Sequence, residues 1–396
     1  MSEYAARDSD GVSVGIVEKK FFTFAAQPED LLVLESGARL GPVTVAYETY
    51  GELAPERDNA VLVLHALSGD SHVAGYYGKG DTKPGWWENM VGPGKGLDTD
   101  RYFVICTSIL GSCGGTTGPC APNPATGKPY GLDFPVVTVG DMVAVQHRLL
   151  QSLGITRLLG VIGGSLGGMQ ALEWSLRYPD QVAGVIALAT TMRHSALAIA
   201  FNEIARQAIM ADPNWRHGHY YDGPKPDTGL AVARMIGHVT YLSDEALRRK
   251  FGRRLQEKKD FSFQFDIDFQ VESYLRHQGH KFVERFDANS FLYVTKAADY
   301  FDLERRGGVS SAVEAFAAAQ ASYLVVSFTS DWLYPTYQSR ELVRALKKNG
   351  LDVSFCEIKA DCGHDAFLIP NQRLSRLIAN FLERVQRENR QPGQTP

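Results

Sequence analysis

The chain has 396 residues, of which 44% are hydrophobic and 22% are charged, and its formal net charge is -4. This is the composition of an ordinary globular protein with a sizeable core, and the near-neutral charge provides no basic surface for nucleic-acid phosphates. No apolar run approaches the length of a membrane span. We therefore expect neither nucleic acid nor a membrane as a partner.

The two ends of the chain are polar. Residues 1–20 begin with acidic residues and lack the apolar segment of a signal peptide, so we expect a flexible lead-in and a cytoplasmic location. Residues 387–396 form a polar tail that we also expect to be flexible.

Five cysteines are scattered through the chain, at positions 106, 113, 120, 356 and 362. An odd, dispersed set of this kind is not typical of a disulfide framework and fits a reducing compartment. No pair has the close spacing of a structural zinc site. We therefore expect no bound metal.

In chain order, short apolar runs alternate with helix patterns. Two early runs, 31–35 and 43–47, are separated by turn residues and predict an antiparallel hairpin at a sheet edge. Five later runs are short and apolar throughout, which is typical of buried parallel strands. They span residues 59–65, 102–106, 157–162, 182–188 and 323–328.

Helical periodicity at 139–153, 169–177 and 339–348 falls between these runs. Strand and helix in alternation predict an α/β fold with a mostly parallel sheet covered by helices on both faces. We assign residues 21–190 and 317–386 to this core.

Residues 191–316 interrupt the alternation. Helix patterns dominate there, at 196–210, 228–238 and 243–251, although the alternation at 261–270 favours a strand. An insertion at this point of a parallel sheet lies over the carboxyl ends of the strands, where open α/β folds bind ligands. We therefore expect a helical lid.

The strongest motif is Gly-Gly-Ser-Leu-Gly-Gly at 163–168. It follows a predicted strand and opens a predicted helix, which is the context of a nucleophile elbow. The serine, Ser165, would lie at the helix N-terminus, where peptide N–H groups favour developing negative charge. A phosphate-binding glycine loop is disfavoured because the motif follows several strands instead of the first.

A serine nucleophile requires a base and a carboxylate that orients it. Asp331 follows the run at 323–328, and His364 lies in a loop after a further strand pattern at 353–358. A single Asp or His in a loop is often only a solvated turn residue. The chain order Ser, Asp, His after a nucleophile elbow, however, predicts a catalytic triad in an α/β-hydrolase fold.

An oxyanion hole in this fold combines two backbone N–H groups. We expect the N–H of Leu166, directly after the serine, and that of Leu67, in the loop after the run at 59–65. His65 in the same loop invites a catalytic role, but the base is already assigned, so we expect it to brace the loop.

A series of motifs in order resembles the homoserine O-acetyltransferase family, over about residues 21–381. The motifs are HALSGD at 65–70, GWWE at 85–88, GSCGGTTGP at 111–119, NPATGKPYG at 123–131, GGSLGGMQA at 163–171, YPD at 178–180 and CGHDAFL at 362–368.

The resemblance implies acetyl transfer from acetyl-CoA to the hydroxyl of L-homoserine, an early step of methionine synthesis. It also implies a cytoplasmic homodimer, associated through the lid, with no bound cofactor. Ser165, Asp331 and His364 match the family triad, Arg234 matches its substrate-binding arginine, and Asp365 matches an acidic residue that helps to bind the amino acid. A guanidinium and a carboxylate suit the two charges of a zwitterion.

The acyl donor is predicted from one position. Related enzymes of this fold that use succinyl-CoA have an arginine after the Asp-Trp dipeptide of the triad, whereas this chain has Leu333. A succinyl carboxylate without a cationic partner is costly to bury. Acetyl is therefore expected, with a succinyltransferase, a serine acyltransferase and a carboxylesterase as alternatives, and a non-catalytic binding protein as a further one.

Overall fold

The computed structural model describes residues 12–305 and 308–390. Within them, one eight-stranded sheet has the strand order β1-β4-β6-β5-β7-β8-β9-β10, and a separate pair joins β2 to β3. The strands are β1 Lys20–Phe24, β2 Leu32–Val33, β3 Arg39–Leu40, β4 Val43–Tyr50, β5 Ala60–Leu64, β6 Phe103–Thr107, β7 Leu158–Gly164, β8 Val182–Leu188, β9 Ser322–Phe328 and β10 Val353–Ile358.

The helices fall between the strands and in one long insertion. They are α1 Val139–Ser152, α2 Leu166–Arg177, α3 Ala196–Met210, α4 Asp227–Tyr241, α5 Asp244–Lys250, α6 Gln270–Val283, α7 Ala288–Asp299, α8 Ala312–Ala315, α9 Thr336–Lys348 and α10 Gln372–Arg390. None of these helices is both long and apolar enough to cross a bilayer.

The six strands β5 to β10 are parallel to one another. Strand β4 runs antiparallel to both of its neighbours, β1 and β6. Side chains of one strand alternate between the two faces of a sheet. Leu62 and Leu64 of β5 accordingly pack in a core with α1, α2 and α9, whereas Val61 and Val63 pack in a second core with α10. The predicted α/β fold is confirmed by these two cores.

The two runs at 31–35 and 43–47 do not pair with each other as a hairpin. Residues 43–47 belong to β4, which pairs with β1 on one side and β6 on the other. Leu32–Val33 pairs instead with Arg39–Leu40 as a small ladder outside the main sheet. The hairpin prediction was wrong because local turn signals fix a reversal of the chain but not the partner of the following strand.

The predicted strand at 261–270 is also absent from the described structure. Phe263 and Phe265 are fully solvent-exposed, and a single bridge joins Leu255 to Phe269 before α6 begins. The Asp268 carboxylate binds Lys258 Nζ at 3.2 Å and accepts from the Ser262 N–H. These local contacts close an irregular loop. The alternating phenylalanines predicted a strand, but they have no neighbouring strand to pair with among the described residues.

Both chain ends are more ordered than predicted, as far as the structure describes them. Ile16 forms a bridge with Tyr76, and β1 begins at Lys20, so residues 12–20 are not a loose lead-in. Helix α10 continues to Arg390, whose guanidinium binds Asp58. Residues 1–11 and 391–396 lie outside the described residues.

The segment between β8 and β9 carries α3 to α8 and is referred to below as the helical insertion. It has an apolar cluster of its own, built mainly by α3, α4, α6 and α7. This cluster includes Ile209, Trp215, Leu230, Phe282 and Phe291. The insertion is therefore a packed layer and not a loose excursion of the chain.

Candidate active site

Ser165 occupies a sharp turn between β7 and α2. Its backbone angles are φ 58° and ψ -123°, a strained conformation for a residue with a side chain. Gly163 and Gly167 permit the turn, since a Cβ on Gly163 would lie 2.4 Å from Gly167 and one on Gly167 would lie 2.0 Å from the Leu64 carbonyl oxygen. The structure thus has the geometry of a nucleophile elbow.

The turn is held from both sides. The Ser165 N–H donates to the Leu188 carbonyl at 3.0 Å, and the Ser165 carbonyl accepts from the Thr190 hydroxyl at 2.8 Å. The neighbouring strand β8 therefore fixes the serine backbone, and its side chain remains partly exposed to a cavity.

Asp331 lies three residues after β9 and is buried. Its Oδ1 accepts from the backbone N–H groups of Leu333 at 3.0 Å and Tyr334 at 2.9 Å, and its Oδ2 lies 2.8 Å from His364 Nδ1. One carboxylate oxygen is thus held by the loop, and the other is directed at the imidazole.

His364 lies in a 3-10 turn after β10, and the Gly363 N–H that precedes it donates to the Ser330 hydroxyl at 2.9 Å. Burial lowers the pKa of His364, but the charge and hydrogen bond of Asp331, together with the charge of Asp365, raise it above its ordinary value. Because Nδ1–H donates to Asp331, the proton-accepting nitrogen is Nε2.

Ser165 and His364 do not share a hydrogen bond among the described residues. Ser165 and Tyr334 line the same cavity. Tyr334 also packs against His364, with a ring separation of 5.0 Å. The structure therefore joins Asp331 to His364 directly, and it places Ser165 beside Tyr334, a neighbour of His364 that the sequence reasoning did not identify.

The loop after β5 is braced by His65, which is fully buried. Its Nε2 accepts from the Ile109 N–H at 3.1 Å, and its Nδ1 lies 2.7 Å from the Ala66 carbonyl oxygen. Burial lowers the pKa of His65, which favours the neutral ring. The bracing role expected for His65 is confirmed by these two contacts.

Leu67 and Leu166 both line the cavity that contains Ser165. Gln170 ties their two segments together, since its side-chain amide donates to the carbonyls of His65 and Leu166 at 3.3 Å each. As the first residue of α2, Leu166 has a backbone N–H with no acceptor inside the helix.

The cavity has a volume of about 60 Å³, and the helical insertion forms much of its wall. The polar side chains that line it are Ser165, His194, Asn202, Thr240, Tyr241 and Tyr334. Its apolar and small lining residues include Ala198, Phe201, Ala205, Ala233, Ile236, Phe291, Ala298 and Leu333. No Lys or Arg is among the described residues that line it.

The insertion is attached to both loops that carry Asp331 and His364. Trp332 Nε1 donates to the Leu242 carbonyl at 3.0 Å, and the Ser243 hydroxyl contacts the Asp361 carbonyl. A Cβ on Gly363 would lie 2.4 Å from the Tyr241 carbonyl oxygen. The α4–α5 junction thus packs directly on the histidine turn.

Arg234 lies on α4 and contacts the loop after β5. Its Nη1 is 3.3 Å from the Ser68 hydroxyl, and its guanidinium lies over the rings of Phe282 at 4.7 Å and Tyr241 at 5.5 Å. Stacking on two rings leaves most of its N–H donors free to bind a planar anion.

Asp365 follows His364 directly. Burial raises its pKa, and the charges of His364 and Arg234 oppose that rise. Arg234 is therefore close enough to act electrostatically on Asp365, although no ion pair joins the two within the described residues. Neither side chain is part of the wall of the 60 Å³ cavity.

The sequence reasoning missed four polar residues. Tyr334, His194 and Asn202 line the cavity with Ser165, and Asp299 lies 3.0 Å from His194. Tyr334 could have been considered from its position three residues after Asp331. The other three lie in the insertion, far from Ser165 in sequence, and no local motif marks them. The chain has ten histidines, so His194 had no distinguishing signal.

Metal binding has no support in the side-chain arrangement that is described. No group of three or more His, Cys, Asp or Glu in residues 12–305 and 308–390 is arranged to hold an ion. All five cysteines are free thiols.

The elbow, the aspartate after β9 and the histidine after β10 define an enzyme of the α/β-hydrolase fold, and a family model described as alpha/beta hydrolase fold matches residues 59–370. The chain belongs, more narrowly, to the homoserine O-acetyltransferase family. It is 66% identical over 386 residues to the homoserine O-acetyltransferase of Solidesulfovibrio magneticus, covering 97% of both chains.

Solved structures place two kinds of enzyme close to this fold. A homoserine O-acetyltransferase from Bacillus anthracis superposes with a TM-score of 0.86 at 32% identity, covering 93% of this chain and 98% of that one. Esterase E22 superposes with a TM-score of 0.84, also at 32% identity, covering 93% of this chain and 100% of that one. The shared fold therefore does not by itself select the acceptor.

Proposed function

We propose that this chain transfers an acetyl group from acetyl-CoA to the hydroxyl of L-homoserine, through an acetyl-serine intermediate on Ser165. The observation that carries the proposal is a hydrolase triad geometry closed over by a helical insertion, in a chain 66% identical to a homoserine O-acetyltransferase. The acetyl-CoA is a co-substrate, and no bound cofactor is required.

In the first half-reaction, His364 Nε2 removes the proton of Ser165, and Oγ attacks the thioester carbonyl carbon. The Leu67 and Leu166 N–H groups stabilise the resulting oxyanion. The carbon–sulfur bond then breaks, and the CoA thiolate takes the proton from His364. Asp331 keeps the imidazole oriented and stabilises its cationic form, because it hydrogen-bonds Nδ1 at 2.8 Å.

In the second half-reaction, His364 takes the proton of the homoserine hydroxyl, whose oxygen attacks the acetyl carbonyl. The Ser165 Oγ–carbon bond breaks, and Oγ recovers a proton from His364. Free enzyme and O-acetylhomoserine result. The two half-reactions share one base and one oxyanion hole, so CoA must leave before homoserine attacks.

Acceptor binding is assigned to Arg234 and Asp365. The guanidinium of Arg234 suits the homoserine carboxylate, and the Asp365 carboxylate suits its ammonium group. The aromatic contacts of Arg234 support this role, since they fix the guanidinium without neutralising its charge. Water lacks both charged groups and gains nothing from these contacts.

Acetyl is favoured as the transferred group by the walls of the cavity. Leu333 contributes its backbone N–H to Asp331 and its side chain to the cavity wall. The insertion contains one buried arginine close to Asn202 in sequence, Arg206. Its guanidinium already pairs with Asp299 at 2.7 Å and with Glu203 at 2.9 Å. Among the described residues that line this cavity, a succinyl carboxylate would therefore find no cation.

A carboxylesterase is the second candidate, and the superposition with esterase E22 favours keeping it. An esterase would use the same triad with water as the acceptor. The difference lies in the acceptor side of the site, where Arg234 and Asp365 have a clear purpose for a zwitterion and none for water.

Association into a cytoplasmic homodimer through the insertion is part of the proposal. Helices α3 and α4 expose several large apolar side chains, which a partner copy would cover. These are Leu197, Ile199, Ile204, Val232 and Val239, between 37% and 55% exposed. Light scattering during size-exclusion chromatography measures the mass of the assembly. Ile204→Asp should shift a dimer toward monomer.

The test of the activity is a matrix of acetyl-CoA and succinyl-CoA against L-homoserine, L-serine and water. The proposal requires product from acetyl-CoA and homoserine at a rate far above every other pair. Equal release of CoA with and without homoserine would identify a hydrolase, and a higher kcat/KM with succinyl-CoA would overturn the donor assignment.

A further inference from the structure

A groove of about 300 Å³ lies beside the loop after β5 and is referred to below as the loop groove. Leu67 of this loop lines the Ser165 cavity, whereas the three residues that follow, 68–70, line the groove. Residues 112–115 of a second loop complete much of its wall. One short loop therefore borders both the cavity of the proposed nucleophile and the loop groove.

Two cations and one carboxylate are among the described residues that line the loop groove: Lys19, Arg285 and Asp70. Lys19 Nζ contacts the Gly114 carbonyl at 3.4 Å. Arg285 Nη1 donates to the Ser68 carbonyl at 2.9 Å. In the part of the chain that the structure describes, both cations thus bond to backbone carbonyls, and neither has a carboxylate within salt-bridge distance. The groove therefore has a surplus of positive charge, which attracts anions.

A third cation adds to the positive charge around Ser68. Arg234 Nη1 is 3.3 Å from the Ser68 hydroxyl. The guanidinium groups of Arg234 and Arg285 lie over the same ring, that of Phe282, at 4.7 Å and 5.1 Å. Burial and the charge of Arg234 lower the pKa of Arg285, as expected for two guanidinium groups that repel each other at short range. The carboxylate of one acceptor, assigned to Arg234, leaves the second guanidinium without an anion.

The donor of the proposed reaction supplies the missing anion. A CoA thioester has a diphosphate and a 3′-phosphate at one end and the acyl group at the other, joined by the flexible pantetheine arm. Phosphate oxygens suit the parallel N–H groups of a guanidinium. Because Leu67 and Ser68 are consecutive, an arm that begins at a thioester beside Ser165 has only this loop to pass before it reaches the loop groove.

We propose that Arg285, assisted by Lys19, binds the phosphate groups of the acyl-CoA donor in the loop groove and thereby determines the specificity for CoA thioesters. The inference rests on the proposed function, since it takes acetyl-CoA as the donor. The two neighbouring arginines then have separate tasks: Arg234 serves the acceptor, and Arg285 serves the donor.

Arg285→Gln removes the charge and keeps a side-chain N–H donor. With L-homoserine as the acceptor, kcat/KM for acetyl-CoA should fall by about 10- to 100-fold, the usual effect of losing a charged hydrogen bond. S-acetylpantetheine presents the same thioester without the nucleotide phosphates, so its kcat/KM should be nearly unchanged. Arg285→Lys retains the charge without the planar fork and should recover part of the preference for acetyl-CoA.

Lys19→Gln should lower kcat/KM for acetyl-CoA by a smaller factor, about two- to fivefold, because a single ammonium near solvent contributes less. Added salt should slow the use of acetyl-CoA more in the unmodified protein than in Arg285→Gln, since salt screens exposed charges. Arg276→Gln is the matched control. Arg276 is an exposed arginine of α6 that does not line the loop groove, so its change should affect neither donor.

The measurement is a set of initial rates with both donors, on variants whose thermal unfolding matches the unmodified protein. A loss confined to acetyl-CoA supports the phosphate site. An equal loss with both donors overturns it, because Arg285 would then act only through the Ser68 carbonyl and the loop after β5. A raised KM for homoserine with unchanged use of acetyl-CoA also overturns it, since Arg285 would then belong to the acceptor site.

Calorimetric binding of CoA tests the loop groove without turnover. The proposal requires weaker binding of CoA to Arg285→Gln than to Arg276→Gln, and equal binding overturns it. Failure of the unmodified protein to acetylate homoserine from acetyl-CoA, with CoA binding intact, would instead contradict the proposed function.

Discussion

The two sides of the active site are built by different kinds of structure. Ser165, Asp331 and His364 lie at the ends of neighbouring parallel strands, where the hydrogen bonds of the sheet fix the spacing of the loops. Arg234, His194 and Asn202 come from the helical insertion, whose position depends on side-chain packing against the triad loops.

This contrast separates chemistry from selection. In the proposed mechanism, the sheet side supplies the groups that form and break an acyl-serine, and an esterase of known structure has a similar fold at a TM-score of 0.84. In the same proposal, the insertion side supplies the charged and polar groups that distinguish one acceptor from another. Substitutions on the first side should therefore abolish turnover, and those on the second should redirect it.

The largest effect is expected on the sheet side. Ser165→Ala should reduce transfer by about 10⁵- to 10⁶-fold, because the acetyl group has no covalent carrier. In the unmodified protein, acetyl-CoA alone should leave one acetyl group on Ser165, and initial rates should give parallel lines. An intersecting pattern without acetylated enzyme would contradict the covalent route.

The insertion side is tested by Arg234→Ala. Loss of a charged hydrogen-bond partner for the homoserine carboxylate should lower kcat/KM for homoserine by about 10- to 100-fold. Acetylation of the enzyme by acetyl-CoA should be nearly unchanged, which a rapid-quench experiment measures. Arg248→Ala is the control, since Arg248 is exposed on α5. If acetylation and transfer to homoserine slow equally, Arg234 is not part of the acceptor site.

Leu333 lies where the two sides meet, and it should control the donor. Leu333→Arg supplies a cation in the cavity wall and should shift the ratio of kcat/KM for succinyl-CoA over acetyl-CoA by about tenfold or more. Leu333→Met changes the side chain without adding charge and should leave the ratio in place. A ratio that moves equally in both variants would point to cavity shape and not to charge.

The smallest effect concerns the pH profile. The charge of Asp365 contributes to the raised pKa of His364. Asp365→Asn should lower that pKa, so His364 remains an unprotonated base to lower pH, and the acidic limb of acetylation should shift downward by a fraction of a pH unit. The pH profile of acetylation by a neutral acetate ester measures this shift, and Asp352→Asn is the control. An upward shift would refute the assigned electrostatics.

Much of the fold and the triad could be predicted from the sequence because the relevant signals are local. Apolar runs marked the parallel strands, and the glycines around Ser165 marked the elbow, since a strained turn and close backbone approach admit no larger side chain. Asp331 and His364 were found by chain order, which the sheet topology of this fold converts into proximity.

Only the tertiary structure decided the partners of these elements. Contacts between residues distant in sequence determine the pairing of β4 with β1 and β6 and the bond that joins Arg390, at the end of α10, to Asp58. The arrangement of His194, Asn202 and Tyr334 around the cavity has the same origin. Packing of the insertion on the sheet brings these side chains beside Ser165, and packing depends on the shapes of both surfaces at once, which no local pattern encodes.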